Sequence, residues 1–285
     1  MLTTDTSSPV ALITGTSSGF GLESTIALAK EGYIVIATMR NLEKQARLLQ
    51  RAEQEGVSNQ ITVMKLDVRI EQEIEETVNA IIEKEGRIDL LLNNAGYALR
   101  GTMEETPLHE WRSILETNLY GVIAMTQAVL PVMRKQQSGK IINVSSALGF
   151  MGLPTFAAYS ASKFAVEGFS ESLRLEALPL GIYISLIEPG SFQTDIVKNH
   201  VTVKSEDSPY YQVVNGINRM ESKGEGKAGN PKKITGIVLR IARARAPKFR
   251  WVMGKDAKGL YCVKQILAWR WLEKIVLRVL TSAKP

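Results

Sequence analysis

Tyr159 and Lys163 stand four residues apart in the run Tyr159-Ser160-Ala161-Ser162-Lys163. On a helix that spacing puts both side chains on one face. A free phenol, with a pKa of about 10, is a poor acid or base at neutral pH. A neighbouring ammonium favours the phenolate, so the pair can exchange a proton under mild conditions. Upstream, Ser146 closes the segment Asn143-Val144-Ser145-Ser146, which ends an apolar run. A hydroxyl there can hydrogen-bond a substrate oxygen as charge develops on it. By itself a Tyr-x-x-x-Lys pair is an ordinary feature of a helix surface. It acquires meaning from what precedes it in the chain.

What precedes it is a glycine-rich turn, Thr14-Gly15-Thr16-Ser17-Ser18-Gly19-Phe20-Gly21, between a short apolar run and a helical one. Such a turn lets backbone approach a pyrophosphate closely, and the helix N-terminus behind it offers N–H donors and partial positive charge. The strand–turn–helix setting is the context a dinucleotide site requires. At the end of the next apolar run stands Thr38-Met39-Arg40, with no acid to bond ribose hydroxyls. The Arg40 guanidinium suits a 2′-phosphate instead, so NADP(H) is the expected cofactor.

Apolar and helical segments alternate to position these groups. Strands are predicted at Val10–Thr14, Tyr33–Ala37, Ile61–Leu66, Ile88–Leu92, Lys140–Val144 and Ile182–Ile187. Helices are predicted from Leu22 to Lys30, over 41–55, from Glu71 to Glu85, from His109 to Lys135 and from Ala158 to Leu178. Short apolar strands alternating with helices imply a parallel sheet covered on both faces. Right-handed crossovers then give an α/β, doubly wound, mostly parallel sheet of Rossmann type, with a C-terminal helical extension. The whole of 1–285 reads as one domain: a cofactor-binding and catalytic core over 8–197, then a substrate lid and basic helices over 198–285. Within 198–232 the pattern loosens, as a lid would. Helices at 231–245 and 258–281 and a strand within Pro247–Met253 close the chain.

The spacing Thr14-Gly15-x-x-x-Gly19-x-Gly21 resembles the short-chain dehydrogenase/reductase family, and the ordered set of motifs covers about residues 8–197. The resemblance implies carbonyl–alcohol interconversion by hydride transfer, with Asn118, Ser146, Tyr159 and Lys163 catalytic. Ser146 is favoured over Ser145 because the family's serine holds the second position. Asn118, in Thr117-Asn118-Leu119, is similar to the family's helix asparagine, which holds a water that links the lysine to solvent. Lys163 would bond the nicotinamide ribose and Tyr159 would face the ring. Cofactor contacts are implied for Gly15, Ser17, Ser18, Gly19, Phe20, Gly21 and Arg40. Further contacts are implied for Asp67 and Val68 at the adenine, Asn94, Ala95 and Gly96 in Asn93-Asn94-Ala95-Gly96, and Pro189, Gly190 and Thr194. For Asn93 a bracing role is as well supported as a binding one. Ala37-Thr38-Met39-Arg40 and Gly254-Lys255-Asp256-Ala257 resemble the 17β-hydroxysteroid dehydrogenase-like branch.

Composition narrows the alternatives. One cysteine, Cys262, excludes an internal disulfide, and two histidines without Cys/His spacing imply no metal site. The polar first nine residues do not read as a secretory signal, and no apolar run is long enough to span a membrane, so a cytoplasmic protein is expected. Charge is uneven: residues 1–200 hold 17 Lys/Arg against 23 Asp/Glu, whereas 201–285 hold 18 against 6. No nucleic-acid partner is read from this. The basic run 258–281, with Trp269 and Trp271, has the makings of a membrane-surface helix or of a packing face in a homo-oligomer, dimer or tetramer. Tyr97, Leu99, Leu148, Phe150, Met151, Leu153 and Phe156 suggest an apolar pocket for a small lipophilic ketone, aldehyde, steroid-like or retinoid-like substrate. The competing readings are an NADP-binding regulatory protein with little catalysis, and an epimerase or dehydratase on the same fold.

Overall fold

The computed structural model describes residues 8–192, 201–202, 208–224 and 228–281. Seven parallel strands make one sheet in the order β3-β2-β1-β4-β6-β7-β9. They are β1 Val10–Thr14, β2 Ile34–Met39, β3 Ile61–Lys65, β4 Leu90–Asn93, β6 Gly139–Val144, β7 Ile182–Pro189 and β9 Arg250–Met253. The order reverses between β1 and β4, which places a crevice at their carboxyl ends, where ligands of open α/β sheets bind. A two-residue pair, β5 Leu99–Arg100 and β8 Val201–Thr202, lies apart from this sheet.

The strands read as near-continuous apolar runs because helices bury both faces. Along β1, Ala11 and Ile13 join a core with α1 (Gly19–Lys30) and the later helix Lys232–Arg243. Val10 and Leu12 turn to the other face, against α3 (Glu71–Glu85), α5 (Gly121–Gln136) and α6 (Ala157–Ala177). Two further helices, α2 (Ala46–Gln54) and α4 (Leu108–Leu115), complete the run before β6. α3 spans its predicted range, and Gly86 closes it at φ 73.

The structure departs from the sequence reading in three places. The long helix predicted from His109 to Lys135 is interrupted by a π turn over Glu116–Tyr120, between α4 and α5. The loosened stretch contains a regular helix, α7 Tyr211–Gly224, ahead of α8 Lys232–Arg243. The single helix predicted at 258–281 is two, α9 Lys255–Ile266 and α10 Trp269–Thr281, broken where Leu267 leaves helical geometry at ψ 134. Periodicity survives such a break because α9 and α10 each keep an apolar stripe, so pattern alone joins them. No helix among the described residues is long and apolar enough to cross a membrane.

Candidate functional site

At the carboxyl end of β1 the chain turns through Gly15, at φ 70, and Gly19, at φ 56, both in the left-handed region. A Cβ on Gly15 would stand 2.8 Å from Ala95 Cα, and one on Gly21 would meet the Gly15 carbonyl and lie 2.6 Å from Asn94 Nδ2. Glycine here is a packing requirement as well as a conformational one. Ser17 and Ser18 lead into α1, whose first turn has no acidic residue and whose N-cap, Ser18, makes no side-chain capping bond. The first N–H groups of α1 therefore face the crevice without a carboxylate competing for them. Phe20 packs edge-on to Phe192, at 5.8 Å between centroids, so the Pro189-Gly190 segment lies beside the glycine turn.

The segment after β4 is bonded to this turn. Thr14 Oγ1 accepts from the backbone N–H of Asn94 and of Ala95, each at 3.0 Å. Asn94 Nδ2 donates at 2.9 Å to the carbonyls of Thr14 and Gly15. The Asn94 side chain thus spends both amide hydrogens on bracing the turn. Asn93 lies deeper: its Nδ2 reaches Asn143 Oδ1 at 2.9 Å, and Asn143 Nδ2 reaches Ser170 Oγ at 2.8 Å, so its role is structural.

Arg40 is exposed and makes no hydrogen bond or ion pair with any described residue, yet it lies close enough to act on the charges of Asp67 and Tyr97. Arg69 forks onto Asp67, with Nε at 2.9 Å from Oδ1 and Nη2 at 2.5 Å from Oδ2. That guanidinium, first among the causes, holds the Asp67 carboxyl below its ordinary range. Val68 is buried under the start of α5, where a Cβ on Gly121 would lie 2.7 Å from its Cγ2. Gly190 is fixed from outside: Asp256 accepts from the Ser191 N–H at 2.7 Å, and a Cβ on Gly190 would meet the same carboxylate at 2.5 Å. Thr194 lies outside the described residues.

Tyr159 and Lys163 share one face of α6, with Lys163 Nζ 5.9 Å from the Tyr159 ring centroid. Lys163 donates to the Val144 carbonyl at 2.8 Å, at the end of β6. Ser146 accepts from the Leu148 N–H at 3.1 Å, and its hydroxyl lies near enough to that of Tyr159 to favour the phenolate. Asn118, fully buried in the π turn, accepts from Tyr97 N at 3.1 Å and donates to Tyr97 O and Ser162 Oγ. Such π turns often mark functional sites. A Cβ on Gly96 would lie 2.9 Å from Asn118 Oδ1 and 3.8 Å from Lys163 Nζ. Gly15, Ala95, Gly96 and Lys163 are therefore neighbours in sequence of contact, and the glycine turn and the Tyr–Lys face line one crevice.

One electrostatic expectation fails. The ammonium was expected to pull the phenol down, but burial, the largest influence, raises Tyr159 above the usual phenol value, and the neighbouring Ser146 hydroxyl offsets it only in part. Burial also brings Lys163 down to about 8, against an opposing pull from Glu167. Desolvation dominates at both because neither buried group has water to support its charged form.

The apolar residues sort into two sets. Tyr97, Leu99, Leu148 and Phe156 pack around Tyr159. Phe150 and Met151 instead pack against α9 and α10, with Leu260, Tyr261 and Leu272. Sequence reasoning named Asp256 only within a branch motif, with no role, and did not find Arg69 or the buried acids Glu167 and Glu188. Glu188 gave a signal, as a carboxylate inside an otherwise apolar strand, Leu186-Ile187-Glu188-Pro189.

The short chain dehydrogenase family pattern matches residues 9–204. The uncharacterized oxidoreductase YusZ of Bacillus subtilis is 40% identical over 96% of this chain and 99% of its own length. A 3-ketodihydrosphingosine reductase of Bacteroides thetaiotaomicron is 37% identical over 88% of this chain and 90% of its own. The 17-beta-hydroxysteroid dehydrogenase type 1 of Mus musculus is 34% identical over 85% and 72%. Among solved structures, a short-chain dehydrogenase from Streptomyces avermitilis superposes with TM-score 0.80 at 31% identity, covering 94% of this chain and 98% of that one. Actinorhodin polyketide ketoreductase with NADPH superposes with TM-score 0.73 at 30% identity, covering 88% and 97%. The chain belongs to the short-chain dehydrogenase family and is an oxidoreductase acting on CH–OH groups with a nicotinamide cofactor.

Proposed function

We propose that this member of the family is an NADPH-preferring reductase of a lipophilic ketone or aldehyde, of the 17β-hydroxysteroid dehydrogenase-like branch, with Tyr159 as proton donor. One observation carries the reading: a buried phenol, with the Ser146 hydroxyl close by, faces Lys163 across one helix face. Reduction consumes a protonated donor, so the raised phenol suits that direction.

The residues present fit a dinucleotide. Gly15, Gly19 and Gly21 leave a cradle that a Cβ would fill, and Ser17, Ser18 and Phe20 begin the helix behind it. Arg40, exposed and in no ion pair among the described residues, would take a 2′-phosphate. Asp67 and Val68 would border the adenine. The Asn94–Gly96 backbone, Lys163, Pro189, Gly190 and Thr194 would hold the nicotinamide end. A reduced nicotinamide, when bound, supplies the hydride that adds to the carbonyl carbon. Tyr159 Oη gives its proton to the carbonyl oxygen, while Ser146 Oγ donates a second hydrogen bond to that oxygen. Lys163 keeps positive charge beside the phenolate left behind, and Asn118 orders the route by which a proton returns. The carbonyl's remaining surface would lie against Tyr97, Leu99, Leu148 and Phe156.

Contact with an anionic membrane surface belongs to the same reading. Trp271, Ile275 and Val279 form an i, i+4, i+8 row on α10, each about half exposed at 50%, 49% and 47%. Arg270 and Lys274 lie over the Trp271 ring at 5.6 and 5.1 Å. An apolar stripe flanked by cations suits lipid headgroups, whereas a second copy facing it about a two-fold axis would set cation against cation. The fold and the charge pattern fit a cytoplasmic enzyme meeting that surface.

The test is a panel of ketones and aldehydes graded in chain length and ring size, followed at the NADPH absorbance. We expect stoichiometric NADPH consumption, faster with apolar substrates than with sugars or small polar carbonyls, and weaker binding of NADH. No consumption across the panel, or consumption confined to polar carbonyls, overturns the reading.

A further inference from the structure

Behind the Tyr–Lys face lies a buried ionic cluster that the proposed chemistry does not use. Glu167 follows Lys163 by one helical turn on α6, Glu188 is on β7 and Arg250 is on β9. Arg250 Nη1 pairs with Glu167 Oε2 and, at 2.7 Å, with Glu188 Oε1. Its Nη2 reaches Glu171 on the exposed side of α6 at 3.0 Å, and its guanidinium stacks 5.0 Å from the Phe249 ring centroid. Glu188 is completely buried and Glu167 nearly so.

Two carboxylates cannot both stay ionised in such a place on one guanidinium, because each loses hydration and repels the other. The two carboxyls lie within hydrogen-bonding reach of each other, and Glu167 Oε1 and Glu188 Oε2 are buried without a partner among the described residues. A proton on one acid makes it the donor the other lacks. Desolvation, helped by the Glu167 charge, raises Glu188 to about 7, so at lower pH Glu188 is the acid that carries that proton. The remaining charge then sits on Glu167. On the other side, a Cβ on Gly149 would lie 3.1 Å from Glu167 Oε1 and 2.5 Å from Ser145 Oγ, so only glycine leaves this space open to the carboxylate.

We propose that Glu167 is a positioning residue for Lys163: clamped by Arg250, it places a fixed negative charge one helical turn from the buried ammonium. The groups facing it are Lys163 and Glu171 on α6, Glu188 on β7, Arg250 on β9 and the Ser145 hydroxyl after β6. Among these, Lys163 is the one that the proposed reaction uses. It is itself 5% exposed, donates to a neutral carbonyl, and is supported by the Glu167 charge against desolvation. The assignment of the arm of the test that reads turnover rests on the proposed reductase activity; the titration arm does not.

The experiment is a pH titration of the lysine side-chain ¹³Cε resonances in the cofactor-free protein. The Lys163 signal is identified by its loss in Lys163→Met. Wild type should titrate near 8. Glu167→Gln should lower the midpoint by at least about half a unit, Glu167→Asp should restore most of it, and Glu188→Gln, which removes a carboxyl that does not act directly on the lysine, should move it by less than half as much. In NADPH-dependent turnover, Glu167→Gln should lose about three-fold more kcat/KM at pH 8 than at pH 6, since only at pH 8 does the lysine lose its proton. A merely structural role would lower turnover equally at both. An unmoved Lys163 midpoint in Glu167→Gln, or an equal shift in Glu188→Gln, overturns the proposal. Should Glu167→Gln not fold, Glu167→Asp is decisive, with a small downward shift expected and none contradicting it. A titrating Lys163 in a protein that consumes no NADPH would remove the reductase reading and leave this one standing.

Discussion

The crevice end of the sheet and the C-terminal helices handle their polar groups in opposite ways. At the strand ends, Thr14, Asn93, Asn94 and Asn143 are buried or half-buried, and their side chains are committed to backbone and to one another. Gly15 and Gly21 are held by close backbone approach. In α9 and α10 the cations are mostly exposed, Ile266, Trp269, Trp271, Ile275 and Val279 face outward, and Leu272 and Leu280 anchor α10 from beneath. The first region is preorganised, so a change there removes chemistry or cofactor binding outright. The second is a surface laid on the body, so a change there alters what the enzyme meets.

The sharpest break with that contrast would come from Lys163→Met. It should reduce kcat by about 10²–10⁴-fold and weaken NADPH binding, with little loss of fold, as steady-state kinetics and circular dichroism would report. A variant within three-fold of wild type would mean that the buried pair is only structural. Next in size, Arg40→Ala should weaken NADPH binding about 10- to 100-fold, the worth of a charge-assisted pair, and leave NADH nearly unchanged. Equal weakening of both by fluorescence titration would remove Arg40 from the phosphate site.

Between the two regions stands Arg100. Buried on β5, it reaches Glu221 at 2.8 Å and Asn218 at 2.5 Å on α7, so it straps α7 to the strand that carries Leu99. Arg100→Leu should raise KM about 3- to 10-fold at nearly constant kcat and speed proteolysis within α7. A fall in kcat alone would place the strap in the chemistry instead.

The smallest expected effect is in stability against pH. Glu188, raised to about 7, binds its proton more tightly folded than unfolded, so its contribution is full at low pH and is lost as pH climbs from the ordinary glutamate range through 7. Lys163, lowered to about 8, behaves in the reverse sense: its burial penalty is full below 8 and fades as pH rises toward the ordinary lysine value. Thermal unfolding should therefore show a shallow minimum near pH 7–8. Glu188→Gln should flatten the acid side and Lys163→Met the alkaline side; a profile unchanged by either variant would contradict the buried placement of both groups.

How much of this could be read from sequence depended on what fixes each residue. Strands β1 to β7 of the main sheet, the glycine turn and the Tyr159–Lys163 face follow from local rules: two-sided burial, backbone conformation and helical spacing. The π turn at Glu116–Tyr120 leaves hydrophobic periodicity almost intact, so the sequence showed one helix through it. Asp256 on Gly190 and Arg250 on Glu167 join residues 66 and 83 positions apart, and no local pattern encodes such pairs. The phenol's raised pKa was missed for a related reason. Spacing reveals the ammonium beside it, but only the packed structure reveals how little water either group keeps.

The central claim is that Tyr159 surrenders its proton to the substrate oxygen, and the most direct measurement compares NADPH affinity and single-turnover reduction in wild type and Tyr159→Phe. Cofactor affinity within about two-fold of wild type, together with a turnover rate lower by about 10³-fold or more, is the expected pair of results. Hydride transfer in the phenylalanine variant at close to the wild-type rate would show that another group supplies the proton.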